Sequence, residues 1–396
     1  MQFHVLTVHL ISDNGPELSG VLSLRALIKA QDENNTSARR DWTSELSFGL
    51  VLPSDSKIGT LVRRSGPGNA GGSSADRTRV FVEVKEFALR RRALEPSEQV
   101  KQRVNRLADI LAQAAGPKAG FRTLPCIAVV RISAPVTGYA FAFDLPEAKF
   151  GKGSKGPHTL LRALEQRRVG GGADGEPRRP TLDERFAIAR ALAQTLFELH
   201  SVDWVHKSIR SENVLLPWRS ASKKDSGAVE CDYTGPILVG FEFSREEGDI
   251  STSEQDTLLH RNVYRHPDRQ GPPDVRFAAR HDIYALGVVL LEIGLWQPAT
   301  KLDARFLESD MEAEDIMQTL RDHARIRLPH HMGVGYADAV MACLGGQLLV
   351  AEGEGEEGRS ADAKTKAVGE EQRMQNSLAF LELVVERISN GVILGK

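Results

Sequence analysis

The chain has 396 residues, with 51 Lys and Arg against 53 Asp and Glu and a formal net charge of −2. A balance this near zero removes any bulk electrostatic argument for nucleic acid or an anionic membrane. The 41% hydrophobic and 26% charged residues are ordinary for a globular chain with a sizeable core.

Three cysteines, Cys126, Cys231 and Cys343, stand far apart without a CxxC pair. That argues against a zinc site and a disulfide-stapled secreted fold, and for a cytoplasmic location. No apolar run reaches the roughly 18 residues of a membrane-spanning helix, so no transmembrane segment is expected. The first residues lack a basic stretch and a small-residue cleavage site, so they make a poor signal peptide.

Residues 1–42 hold one helical pattern, over 18–32, with Leu18, Val21, Leu22 and Ile28 on one face, and then a polar linker. From 43 to 147 the pattern is mostly β. SFGLVL and IGTLVRR are short strands, and RVFVEVKEF is the clearest strand, with Val80, Val82 and Val84 on one face. The glycine-rich loop SGPGNAGGSSAD lies between them. Residues 97–115 predict a helix capped by Ser97, with Val100, Val104, Leu107 and Leu111 at helical spacing. CIAVVRI and GYAFAFDL complete a small α+β unit.

The region 148–392 reads as mostly helical. HTLLRALEQ is a short helix, and 182–200 is a long amphipathic helix capped by Thr181. NVLL and PILVGFEF are short β segments separated by a polar loop, RSASKKDSGAVECDYTG. HDIYALGVVLLEIGLW (281–296) is almost entirely apolar yet too short to span a bilayer, so it predicts a central buried helix. Residues 351–372 are acidic-leaning and of low complexity, which predicts a disordered loop. A last helix is expected over about 376–390. The 35 glycines concentrate in 66–72, 151–175 and 345–358, which read as surface loops.

Five motifs in order carry the functional reading. VEVK ends at Lys85. LHSVDWVHKSIRSENVLL contains His206, Lys207, Ser208, Arg210 and Asn213. PILVGFEFSR contains Gly240, Phe241 and Glu242. YRHPD holds Tyr264, Arg265 and Pro267, and DIYALGVVLLEIG begins at Asp282. Together they resemble, in order, the third-strand V-A-I-K, the H-R-D-L-x-x-x-N catalytic loop, the D-F-G turn, the A-P-E region and the buried helix of protein kinases. The combination is similar to the kinase-like domains of filamentous-fungal proteins that often follow a HeLo-type helical bundle (prion-inhibition and propagation).

The resemblance implies an α+β, bilobal kinase-like fold, with a small β-rich lobe over 43–147 and a helical lobe over 148–392. Residues 1–42 are then either a remnant of such a bundle or a packing extension of the small lobe. The resemblance also implies structural roles for His206, Asp282, Tyr264, Arg265 and Pro267, with Asp282 hydrogen-bonding the catalytic-loop backbone. It places Phe143 at the gate of the nucleotide pocket, where the residue also reads as a core aromatic, and makes Asp144 beside it a further candidate nucleotide contact.

Phosphoryl transfer is mostly positioning and charge neutralisation, and its acidic parts are missing. Ser208 stands where a catalytic aspartate is required, and a serine holds no negative charge near neutral pH. Gly240 stands where a metal-binding aspartate is required, and Glu242 could reach a metal only if the turn were rebuilt. No G-x-G-x-x-G cradle exists: Gly49 and Gly59 are separated by Pro53, which lacks a donor.

Lys85 lacks a well-placed helix glutamate, since Glu98 sits too early. It reads either as a nucleotide contact or as an exposed, snorkelling strand residue. Arg210 and Asn213 are the other candidate nucleotide contacts, and Asn213 has the alternative role of fixing the loop backbone. Asp268 replaces the A-P-E glutamate, with no clear arginine partner near the chain's end.

The expected function is therefore a pseudokinase acting as an interaction or switch module. In the resembled group such domains are associated with regulated cell death and non-self recognition. The alternative is an atypical active kinase in which Glu242, Glu212 or Asp256 supplies a metal ligand. No catalytic set is intact and no cofactor is required. ATP binding would be weak, Mg²⁺ is not expected, and Lys85, Lys207 and Arg210 would leave a cleft that favours an anion. A protein partner is implied but not named, and no nucleic-acid partner is expected.

Overall fold

The computed structural model describes residues 41–43, 48–52, 57–63, 77–87, 96–114, 121–133, 137–151, 157–166, 178–220, 229–246, 259–270, 275–307, 311–345 and 375–391. The expected helix at 18–32, the glycine-rich stretch at 65–76 and the acidic segment at 351–372 lie outside the described residues. The fold is α+β, and the chain divides into two compact units. One comprises residues up to His158 together with 215–232 and 237–245, and the other comprises 159–214, 233–236 and 246–396. The chain therefore does not change unit at a single point near 147.

The first unit is built on a five-stranded antiparallel sheet of β1 (Phe48–Val51), β2 (Ile58–Arg63), β3 (Arg77–Glu86), β4 (Cys126–Ile132) and β5 (Gly138–Asp144), in the order β1-β2-β3-β5-β4. Alternation on β3 decides what each face carries. Val80 and Val82 bury with Leu61, Ala128, Ala140 and Ala142, and Val84 packs at the edge of this cluster. The intervening residues Phe81, Glu83 and Lys85 pair across β5 with Phe143, Phe141 and Tyr139.

Helix α1 (Glu98–Ala114) packs against β4 and buries Val104, Leu107 and Leu111. Asp109 on α1 accepts a 2.7 Å hydrogen bond from the Trp42 indole. Each fully buried Leu or Val of this kind contributes about 1.5–3 kcal/mol, so the amphipathic stripe alone accounts for the helix's attachment.

Gly59 on β2 pairs with Val80 of β3, and a Cβ on it would lie 2.9 Å from the Val51 carbonyl oxygen of β1. It is a close-approach glycine. The polar stretch expected to be one loop contains a second hairpin, β6 (Trp218–Ser220) with β7 (Val229–Cys231), in which Trp218 pairs with Cys231. The strand of PILVGFEF shortens to β8 (Ile237–Leu238), which bridges in parallel to Thr123 before the chain turns at Gly240.

The second unit contains α2 (Leu160–Glu165), α3 (Leu182–His200), α4 (Ala279–Leu295), α5 (Ala313–Met332), α6 (Val334–Gly345) and α7 (375–390). Thr181 and Glu184 form a reciprocal capping box at the start of α3. In α4 every residue from His281 to Leu295 is buried, as its apolar sequence predicts. Leu381–Glu386 of α7 is wound as a π-helix. Helices α5 and α6 were not expected individually from the sequence. No helix among the described residues is long and apolar enough to cross a membrane.

Candidate functional site

The motif residues fall in both units, and each group has its own geometry. In the first unit, β3 carries Glu83 and Lys85 two residues apart, hence on one face. The Glu83 side chain accepts hydrogen bonds from the main-chain N–H groups of Gly240 and Phe241, the latter at 2.7 Å. The Lys85 ammonium donates to the carbonyl oxygens of Glu242 (3.0 Å) and Ser244 (2.9 Å). A carboxyl group and an ammonium thus clasp the 240–244 turn, one through its donors and one through its acceptors.

The turn needs its glycine. Gly240 has φ 98°, a left-handed conformation disfavoured for any residue with a Cβ. An aspartate at 240 would be strained in this backbone.

Glu83 is 2% exposed. Burial, reinforced by the nearby Glu242 charge, raises its carboxyl to about 8, against the lowering effect of the two N–H bonds and of Lys57. Two hydrogen bonds to a carboxylate ordinarily favour the charged form. Here desolvation outweighs them. Glu242 Oε2 is itself buried with no hydrogen-bond partner among the described residues.

Lys85 is half-buried and engaged by the turn, which corrects the expectation of an exposed, snorkelling residue. Glu98, on α1, pairs with Lys101 at 2.9 Å. Phe143 is 1% exposed, with its ring 6.4 Å from Phe141, and so sits as a core aromatic. Asp144 ends β5 and bonds through its main-chain N–H to Pro125.

In the second unit, the loop from His206 to Asn213 hangs from α4. Asp282 is fully buried, and its carboxylate accepts from the main-chain N–H of His206 (2.6 Å) and of Lys207 (2.8 Å), with His200 Nε2 at 3.3 Å. This is the main-chain contact that the resemblance implied for Asp282. Burial pushes its carboxyl upward, but His200, His206 and these hydrogen bonds prevail and hold it below the usual carboxylate range. The anchorage stabilises a left-handed residue, Lys207, at φ 68°.

Beyond it, the Ser208 hydroxyl receives hydrogen bonds from Arg210 and Asn213, and the Asn213 amide also donates to the Ser208 carbonyl at 2.8 Å. Arg210 pairs with Glu212 at 2.9 Å, and the Lys207 ammonium lies 5.5 Å from the centre of the Phe277 ring. Of the three cations expected to be less compensated, Arg210 has a carboxylate partner in Glu212, while Lys85 is held by carbonyl oxygens and Lys207 lies against a ring.

Tyr264 couples this loop to α4. Its hydroxyl lies 2.9 Å from Ser211 Oγ and donates to Glu292 at 2.7 Å, while Glu292 also accepts from the Ala299 N–H. Burial raises the Glu292 carboxyl to about 7. Arg265 donates to Asn262, and Pro267 opens the short turn that carries Asp268. Asp268 finds its arginine in Arg280, at 3.2 Å, and not near the chain's end.

Sequence reasoning missed Glu83, His200 and Glu292. The available signal was a charge inside an otherwise apolar segment, because a buried charge must be partnered.

His266, Asp268 and His281 place three potential metal-ligand atoms within 4.8 Å of one another. His266 Nδ1 and His281 Nε2 lie 2.9 and 3.0 Å from the same Asp268 oxygen. The donor set nevertheless fits a metal poorly. The Ala278 N–H donates to His281 Nδ1 at 2.8 Å. A neutral imidazole has one acceptor nitrogen, so Nε2 carries the hydrogen and faces Asp268. A ligating histidine ordinarily donates through its other nitrogen, and here that nitrogen accepts. The cluster is a His–Asp clamp beside the start of α4. Burial pushes Asp268 upward, but its bonds to His266 and His281 outweigh that and hold its carboxyl far below the usual range.

The fold and these two groups define an α+β protein in which main-chain turns are held by buried acidic side chains. The chain belongs to the family described as Domain of unknown function (DUF7580), whose profile matches residues 151–368, more than half of its length. The match takes in the 206–213 loop, the 240–244 turn and α4, and begins after β3. No curated protein matches the chain.

Proposed function

We propose that this protein is a kinase-like, bilobal pseudokinase, an interaction or switch module that does not catalyse efficient phosphotransfer. The observation that carries the reading is where the hydrogen bonds go. The Ser208 hydroxyl is taken by Arg210 and Asn213, and the Lys85 ammonium by two carbonyls of the 240–244 turn. Neither position 208 nor position 240 supplies a carboxylate. A serine cannot replace the aspartate electrostatically, and a glycine offers no metal ligand. The loops are held in place from within, which suits a scaffold whose surface is read by a protein partner. The resemblance to fungal HeLo-associated domains supports a role in cell-death or non-self-recognition signalling. Three buried cysteines, none of them in a disulfide, support a cytoplasmic setting.

One observation favours an atypical active kinase instead: Glu242 Oε2 is buried without a hydrogen-bond partner among the described residues, a position from which a carboxylate could take a cation. A single experiment separates the two readings. The purified chain is incubated with radiolabelled ATP and Mg²⁺, alone and with a generic protein substrate. The pseudokinase reading expects no transfer above that of a Lys85→Met variant. Transfer abolished by both Lys85→Met and Glu242→Gln would establish the second reading.

A further inference from the structure

Helix α4 begins on a histidine cap. The Ala278 N–H is one of the donors that a helix start leaves without an intrahelical acceptor. It donates to His281 Nδ1 at 2.8 Å, and the His281 N–H returns a 3.0 Å bond to the Ala278 carbonyl. Glutamate or glutamine ordinarily fills this helical position, and its side-chain oxygen accepts throughout the neutral range. An imidazole accepts in only one form. Nδ1 must carry no hydrogen, so the neutral ring holds its hydrogen on Nε2. That nitrogen lies 3.0 Å from an Asp268 carboxylate oxygen, which suits this tautomer.

A second proton on His281 has one place to go, Nδ1. There it would meet the Ala278 N–H across 2.8 Å, two donors with no acceptor between them. The His281 side chain is 1% exposed, with the Phe277 and His266 rings centred 4.8 and 5.5 Å from its own. It cannot turn into water without unpacking, so protonation breaks the cap.

The cap sits beside an anchor. The next residue is Asp282, whose carboxylate takes the main-chain N–H groups of His206 and Lys207. Phe277 adds a second link, since the Lys207 ammonium lies 5.5 Å from its ring centre. The first turn of α4 and the 206–213 loop are therefore tied together within one unit.

The charges around His281 come from several elements. Burial disfavours the protonated ring most strongly. Asp268, on the 266–268 turn, favours it, while Arg280 on α4 and His266 on that turn oppose it. Lys207 and Arg269 both stand over the Phe277 ring, and Glu314 of α5 acts on Tyr284, one turn further along α4. The balance holds the His281 imidazole below its usual value of 6.5. The cap's contribution is then complete above that value and is lost as pH falls through the lower, folded one.

We propose that His281 is an acid-sensitive latch: a proton on its imidazole uncaps α4 and loosens the hold of Asp282 on the 206–213 loop. The latch concerns the start of α4 and stands whether or not the chain transfers phosphate.

The test follows the full chain, labelled with ¹⁵N, by NMR from about pH 7.5 to about pH 5. At the upper end His281 should show a bare Nδ1 and a hydrogen on Nε2. As the ring protonates, exchange protection of the Ala278, His206 and Lys207 amides, corrected for the intrinsic rate at each pH, should fall together. The expected fall is about tenfold, the size of one lost cap. The Glu184 amide, capped by the Thr181 hydroxyl at the start of α3, should keep its protection. His281→Gln offers an acceptor to Ala278 and a donor to Asp268 without titrating, and should abolish the fall. His266→Gln should leave it in place. The imidazole signals are read on the unaltered chain, so the test does not depend on either variant folding. A hydrogen on Nδ1 at neutral pH would overturn the proposal. So would a fall that persists in His281→Gln, or protonation of His281 with the His206 and Lys207 amides still protected.

Discussion

The clasp at β3 and the loop beneath α4 solve the same problem with carboxylates of opposite character. In each, a buried acidic side chain takes two consecutive main-chain N–H groups: Glu83 those of Gly240 and Phe241, and Asp282 those of His206 and Lys207. Asp282 has histidines beside it and stays ionised, its carboxyl held below the usual range despite burial. Glu83 has Glu242 beside it and is raised to about 8. Main-chain hydrogen bonds alone would make the two sites equivalent. The neighbouring charges decide which one is a fixed anchor and which one responds to protons near neutrality.

That difference can be broken from either side. The largest effect is expected from Asp282→Ala, which leaves the N–H groups of His206 and Lys207 without their acceptor in a buried setting. A loss of about 4 kcal/mol in urea unfolding is predicted. The second prediction uses the proton. Because the folded-state value of Glu83 lies above its unfolded value of 4.5, its stabilisation is complete below that value and fades as pH rises to about 8. Asp282, with a depressed value, keeps its contribution above the ordinary carboxylate range and loses it only in stronger acid. Glu83→Gln should therefore flatten stability between pH 5 and 8, a window that can hold up to about 5 kcal/mol. It should leave the acid limb governed by Asp282 intact. Melting temperatures across pH read both.

Lys85→Met removes two charge-assisted hydrogen bonds to the turn and should cost about 2 kcal/mol without changing any ATP-dependent signal. The smallest effect is expected from Gly240→Asp, which restores the residue type that kinase chemistry would need. With φ at 98°, the side chain should cost about 1–2 kcal/mol and bring no phosphotransfer.

The anchored parts of the fold were more legible than the clasp. Helix α3 and its Thr181 cap follow from residue type and spacing, as does the one-sided burial of Val80 and Val82. Glu83 was passed over because alternation marks it as the polar side of β3. In the sheet, Glu83 pairs with Phe141 and is buried, so that side is also interior. The β6–β7 hairpin escaped notice because three-residue strands such as Trp-Arg-Ser and Val-Glu-Cys are too short to show a period. Helix α5 has a weak apolar stripe and contains Pro329, and α6 begins Val-Gly-Tyr after Gly333, so both read locally as interrupted. At the site, Ser208 and Gly240 show from sequence which groups are absent. Which groups take over the main chain depends on pairings between residues far apart in sequence, Glu83 with 240–241 and His200 with Asp282.

The central claim is that these turns are held by the protein's own side chains and need no nucleotide. Amide hydrogen exchange at Gly240, Phe241, His206 and Lys207 tests it most directly, with and without millimolar ATP and Mg²⁺. All four amides should be protected in the free protein, unchanged by nucleotide, with Gly240 and Phe241 alone deprotected in Glu83→Ala. Fast exchange at Gly240 and Phe241 in the free protein, slowed when ATP and Mg²⁺ are added, would contradict it.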